Sequence, residues 1–226
     1  MSALSLRRVA WSASLVALPV VVGAQDSVVP NRGIDPLSRL NESTRYSIEL
    51  LFDSAKVAGL PTWPLESKAL EGITKRADGR RIVAAVRLVF RSLREARSAL
   101  GPGATNDELT AAAGALSVGI TTDELARLVK SRHEKQLTYP LVVLSDLITR
   151  GVPRDTASQT IFQLWQRGAS DDDFQGLWRG VERDIVSGTD PGVALLNRAR
   201  EIPSRGPPTA PPASGARPER SENPNP

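Results

Sequence analysis

Between residues 35 and 202 the apolar side chains recur at steps of three and four, the spacing that gathers them on one face of an α-helix. Residues 80–100 carry the pattern most fully. There Ile82, Ala85, Val86, Val89, Phe90, Leu93, Ala96 and Leu100 share a side, and Gly101-Pro102 ends the run. No useful length of chain alternates with period two, so no sheet is expected.

The breaks between apolar runs repeat one device. Gly119-Ile120-Thr121, Gly151-Val152-Pro153 and Gly168-Ala169-Ser170 each close one run and open the next. Glycine takes the left-handed conformation that ends a helix, and the apolar residue after it packs back on the last turn. The third residue starts the next helix, as an N-cap or as a first-turn proline. Thr105 with Glu108, Thr121 with Glu124 and Ser170 with Asp173 have capping-box spacing. Asp35-Pro36 and Asp190-Pro191 read as N-cap and first-turn pairs.

These signals predict helices over 43–58, 64–76, 80–100, 106–117, 122–133, 139–150, 154–167, 171–187 and 191–200. Short helices joined by three-residue turns pack as successive hairpins. The expected fold is all-α, an array or irregular bundle of about nine helices. The recurrence of the glycine element at irregular intervals suggests a degenerate repeat, with a compact bundle as the alternative.

The two ends differ from this domain. Arg7 and Arg8 precede an uncharged, largely apolar run over residues 9–22, and Val22-Gly23-Ala24 then offers small side chains before Gln25-Asp26-Ser27. The run is shorter than the roughly 20 residues that cross a bilayer. Residues 1–24 are therefore expected to be a cleavable secretory signal, cut after Ala24, with residues 25–34 a flexible lead into the domain. The absence of cysteine excludes a lipid-anchored amino end, thiolate chemistry and disulfides. Beyond Ile202 the chain is rich in proline, glycine, serine and arginine and holds no hydrophobic residue larger than alanine, so residues 203–226 are expected to be a disordered tail.

Charge gives little direction. The formal +4 includes Arg7 and Arg8, so a processed chain is nearly balanced, at about +2, which argues against a nucleic-acid partner. The preference for arginine over lysine, with abundant alanine, glycine and proline, fits a GC-rich bacterial genome.

Candidate chemistry is sparse. The single histidine, His133, lies among charges at a helix end, where a cation meets the negative end of the helix dipole. Asp171-Asp172-Asp173 follows Ser170 at a helix start, where carboxylates complement the positive end. It lacks the alternate spacing of calcium loops. Neither a metal nor another cofactor is expected. Glu49, Glu66 and Glu71 are the acids that would serve polysaccharide hydrolysis by a carboxylate pair.

Arg80, Arg87, Arg91 and Arg94, spaced by seven, four and three, form a stripe roughly opposite the apolar face of their helix, with Glu95 at its border. Guanidinium groups suit carboxylates and phosphates. Trp165 and Trp178 fall on apolar faces and are expected in the core. Trp63, between Pro61 and Pro64, is the tryptophan expected at the surface and a candidate partner contact.

Together these features lead to the expectation of an exported, soluble, non-catalytic interaction or scaffold module of the periplasm or cell exterior. Its partner would be a protein or an anionic envelope polymer, and the mature chain would have no transmembrane segment. The competing expectation is a cell-envelope enzyme acting on polysaccharide through carboxylates and arginine. A deep pocket with two carboxylates of shifted acidity would favour the enzyme. A continuous apolar or arginine-lined groove would favour the binder.

Overall fold

Helix boundaries follow the local signals closely. In the computed structural model, which describes residues 36–131 and 136–204, a 3₁₀ turn at Pro36–Arg39 leads into α1 (Glu42–Val57), α2 (Trp63–Thr74), α3 (Gly79–Leu100) and α4 (Asn106–Ser117). They are followed by α5 (Thr122–Lys130), α6 (Thr138–Thr149), α7 (Arg154–Gln166), α8 (Asp171–Val186) and α9 (Pro191–Glu201). The described residues contain no strand and fall within one compact unit, Asp35–Pro226. No helix among them is long and apolar enough to cross a membrane. The segments expected to be a secretory signal and a flexible lead, together with His133 and nearly all of the proline-rich tail, lie outside the described residues.

All three capping boxes form. The hydroxyls of Thr105, Thr121 and Ser170 accept from the backbone N–H of Glu108, Glu124 and Asp173, whose carboxylates accept in return from the cap N–H groups. Asp173 is thus engaged in starting a helix. Asp190 caps α9 by accepting from the Val193 N–H at 3.0 Å.

The glycine device is more widespread than its sequence signature. Gly119, Gly151 and Gly168 have positive φ, and the next residue's N–H returns to the last turn: Ile120 to the Ala115 carbonyl, Val152 to Leu147, Ala169 to Leu164. The same pair of bonds closes α1 at Gly59, α8 at Gly188 and α2 at Arg76, which takes φ 53° without being glycine. Most boundaries fall within one residue of those expected; α2 ends at Thr74 before the expected 76, and the largest shift is at α5. Helix α5 ends at Lys130, before the expected 133, where the Ser131 hydroxyl donates back to the Arg127 and Leu128 carbonyls.

The helices pack in two rows. Odd-numbered helices follow one another, α1 on α3, α3 on α5, α5 on α7 and α7 on α9, while α4, α6 and α8 form a second row. Hairpin partners such as α6–α7 and α8–α9 join the rows, so the packing is that of an array. One continuous core runs through it, including Ile48, Leu65, Ile82, Leu93, Leu109, Leu125, Leu144, Ile161, Phe174 and Leu195. Trp165 is buried in this core and Trp178 lies partly buried against it.

Polar links pin the rows. Glu108, only 1 % exposed, accepts from the Thr105 N–H at 3.0 Å with one oxygen and from the Leu137 N–H at 2.9 Å with the other, tying the start of α4 to the start of α6. Arg154 of α7 donates to the Gly119 carbonyl and to Glu124. Burial pushes Glu124 upward, but the Thr121 hydrogen bonds and Arg154 outweigh it, and its carboxyl sits below the ordinary range. Arg198 forks onto Asp184 at 2.8 and 2.7 Å, joining α8 to α9.

Candidate functional site

The second row is interrupted at one place. Helices α4 and α6 pack closely, as do α6 and α8, but α2 does not close on α4 in the same way; each leans on α3. Helix α2 is drawn tightly to α3 at Gly72, where an added Cβ would fall 2.7 Å from Ile82. The opening left between α2 and α4 is a cleft of about 420 Å³. Its walls include Trp63, Ser67 and Glu71 of α2 and Ala113 and Ser117 of α4, and its floor is Ala85, Val89 and Ser92 of α3, with Leu88 at the edge.

The cleft stays open because its floor and one wall carry small side chains: Ala85, Ser92, Ala113, Gly114 and Ser117 leave room that larger ones would fill. Two large apolar side chains stand at its rim unburied. Trp63, in the first turn of α2, and Leu88, on α3, are each 52 % exposed. Exposed apolar groups beside a preformed apolar depression are the usual make-up of a contact surface.

A second cleft, of about 570 Å³, continues the first along α3, sharing Leu88, Ser92 and Ser117 and adding Arg91, Glu95, Leu116, Ile120 and Thr121. From Ala85 to Glu95 the trough follows α3 for about 15 Å at 1.5 Å per residue.

The four stripe arginines are all exposed on α3, but they do not act as one group. Arg80 sits apart in the first turn, 99 % exposed and 3.8 Å from Asp78. It shares a shallow groove against α1 with Arg87. Arg91 borders the trough, and Arg94 lies over the Phe90 ring at 6.0 Å. Arg87, Arg91 and Arg94 form no ion pair among the described residues, so their charges are open to solvent. Trp63 and Leu88 line the first cleft together, and none of the four arginines lines it.

The acids proposed for hydrolysis are not brought together. Glu49 pairs with Arg45 on α1 beside a different depression, and Glu66 lies outside the cleft that Glu71 lines. Glu71 itself receives Lys68 and Lys75, each at 2.6 Å, and these two hydrogen bonds hold its carboxyl down at about 2 despite partial burial. A carboxylate held ionised in this way has no proton to give near neutral pH. Asp146 shows the opposite shift: burial raises it, Arg150 opposes that rise and Glu182 adds to it. Arg150 in turn pairs with Glu182 at 2.8 Å and lies 5.3 Å from the Trp178 ring centroid. Neither Asp146 nor Glu182 lines the trough. No group of three or more histidine, aspartate or glutamate side chains among the described residues is placed to hold a metal ion.

Sequence reasoning missed Leu88 and the small-residue floor. Leu88 falls off the regular apolar positions of α3, and a large apolar residue out of phase on a strongly amphipathic helix was the available signal. It also missed Arg97, whose guanidinium donates to the carbonyls of Pro102 at 3.0 Å, Ala104 at 3.2 Å and Gly59 at 3.0 Å, pinning the ends of α1 and α3 together. No known protein family, characterised protein or solved structure matches the chain.

Proposed function

We propose that this chain is an exported, non-catalytic interaction module of the bacterial cell envelope, and that the α3 trough with its arginine rim is the surface it works through. The observation that carries the reading is the open stretch of the second helical row, where Trp63 and Leu88 stand exposed over a floor of small side chains. The ionised state of Glu71, held by two lysines, speaks against acid–base work there. Export rests on the Arg7-Arg8 lead, the short apolar run and the Val22-Gly23-Ala24 step.

Two measurements test it. Amino-terminal sequencing of protein recovered from cell fractions should begin at Gln25; a chain still starting near Met1, or confined to the cytoplasm, overturns export. A photo-crosslinking amino acid at position 88 should give a discrete adduct in living cells, and the same probe at exposed Val186 should not. Adducts of equal yield and pattern at both positions overturn the assignment of the surface.

A further inference from the structure

We propose that the trough takes one amphipathic α-helix of about three turns from a partner protein, apolar on its buried face and acidic along the flank that meets Arg87 and Arg91. This rests on the reading of the chain as an interaction module and goes further by committing to the chemistry of the occupant.

Three observations converge on a helix. The first is the interrupted row. Helices α4, α6 and α8 pack side by side, whereas α2 and α4 stand apart with α3 beneath them, so the opening has helices for walls and a helix for a floor. A helix laid there would pack its ridges against α3 in the way its neighbours do. The second is length. The roughly 15 Å from Ala85 to Glu95 spans about three helical turns, enough for apolar anchors at i, i+3 or i+4, and i+7. The small side chains Ala85, Ser92, Ala113 and Ser117 would receive those anchors, with the Trp63 indole and Leu88 closing over them.

The third is charge. The acid on the α2 wall, Glu71, is already matched by Lys68 and Lys75. Beyond the exposed Leu88, Arg91 at the trough's edge and Arg87, one turn earlier beside the α1 groove, have no ion-pair partner among the described residues, and with Arg94 they outnumber Glu95, the acid that lines the second cleft. Carboxylates along one flank of the incoming helix would meet this net positive edge, which favours an acidic partner.

The test is selection of a displayed library of 16-residue peptides on residues 25–226, with no variant used in the selection itself. Enriched peptides should share helical apolar spacing with aspartate or glutamate on one flank. By fluorescence anisotropy, the best of them should lose at least tenfold in affinity on Leu88→Glu and on Trp63→Ala. Both positions are half exposed, so both variants should melt like the parent. The double variant Arg87→Gln/Arg91→Gln should lose roughly three- to tenfold at low salt and match the parent at high salt, where exposed charges are screened.

Enrichment of proline-rich sequences resembling residues 207–212, with binding that rises when residues 205–226 are deleted, would overturn the proposal in favour of the chain's own tail. A dimer seen by sedimentation and lost in Leu88→Glu would overturn it in favour of a second copy. Peptides that bind Leu88→Glu equally well, or whose flank charge is irrelevant, would overturn it outright. A failed selection alongside a discrete crosslink at position 88 removes the helical occupant alone. Failure of both removes the interaction module as well.

Discussion

Three arginines at the helix junctions from α4 to α9 and three on the open face of α3 are used in opposite ways. From α4 to α9, Arg150, Arg154 and Arg198 each reach across a helix junction, to Glu182 at 2.8 Å, Glu124 at 3.0 Å and Asp184 at 2.7 Å. On α3, Arg87, Arg91 and Arg94 form no ion pair among the described residues. The rows differ in the same sense, closed among α4, α6 and α8 and open between α2 and α4. The lesson is that residue type alone says little about role. A guanidinium bound at a junction belongs to the scaffold. One left in solvent beside an unfilled apolar cleft is available to something else. If this division is real, stability and binding should be separable by position.

The sharpest break would come at Glu108, the buried carboxylate of the closed half. Glu108→Ala removes a capping-box partner and leaves the buried Leu137 N–H without its acceptor, so it should cost about 2–4 kcal/mol. Glu108→Gln keeps one carbonyl acceptor and should cost less than that. Urea denaturation of both measures the difference. A loss below about 1 kcal/mol for the alanine variant would mean that the closed half does not depend on this link.

Arg97 and Arg94 sharpen the comparison within a single helix. They lie three residues apart on α3, but Arg97 holds the carbonyls of Gly59, Pro102 and Ala104 while Arg94 only covers Phe90. Arg97→Met should cost about 1–2 kcal/mol, since it strips hydrogen bonds from two helix ends. Arg94→Met should stay within about 0.5 kcal/mol, as surface changes do. Equal costs would show that exposure on α3 is a poor guide to role.

A smaller effect with the opposite sign is expected at Asp146. Its carboxyl lies above its ordinary value of 3.8, so the folded chain holds that proton more tightly than the unfolded chain does. Stability from this group therefore falls as pH rises from 3.8 through the raised value, and at neutral pH the ionised form is a mild cost. Asp146→Asn should leave neutral-pH stability unchanged or raise it by less than about 1 kcal/mol, and should flatten its pH dependence above 3.8. Glu71 behaves in the reverse way. Its contribution is present above the ordinary 4.5 and disappears as pH falls toward about 2. Being substantially exposed, it should be worth no more than about 1 kcal/mol. Melting curves from pH 2 to 7 for Asp146→Asn and Glu71→Gln check both signs.

What was legible in the sequence was local. A capping box is a hydroxyl and a carboxyl three residues apart, so Thr105, Thr121 and Ser170 announced the starts of α4, α5 and α8. Gly119, Gly151 and Gly168 announced ends because glycine accepts positive φ without strain. Arg76 reaches the same conformation with a side chain that gives no warning, so its turn was not visible. The second bond of Glu108 joins positions 29 residues apart, and that of Arg97 to Gly59 spans 38, beyond any spacing rule. The cleft was hidden for a related reason. Ala85, Ser92, Ala113 and Ser117 look like ordinary packing residues, and only the separation of α2 from α4 turns them into a floor and wall. Exposure of Trp63 was easier to foresee, since Pro61 and Pro64 marked a turn there, although Trp63 is itself the first residue of α2.

The finest discrimination comes from the variant expected to do least to the fold. Replacing Arg87, Arg91 and Arg94 together by glutamine removes three exposed cations that pair with no described carboxylate, so the melting temperature should stay within the range of ordinary surface changes, about 0.5 kcal/mol. The buried face of α3, carrying Ile82, Val86, Leu93, Ala96 and Leu100, is untouched. Binding should respond, because each exposed cation attracts an acidic partner across a Debye length of roughly 10 Å, and that attraction weakens with salt. Retention on an acidic peptide or an anionic polymer should therefore fall at low salt and converge with the parent at high salt. Arg154→Gln, in the closed half, supplies the mirror image: some loss of stability from the Glu124 and Gly119 contacts, and unchanged binding. A triple variant that melts earlier than Arg154→Gln would erase the distinction between the halves. A triple variant equal to the parent in both melting and retention would keep the scaffold assignment but reduce the α3 arginines to a solvated face.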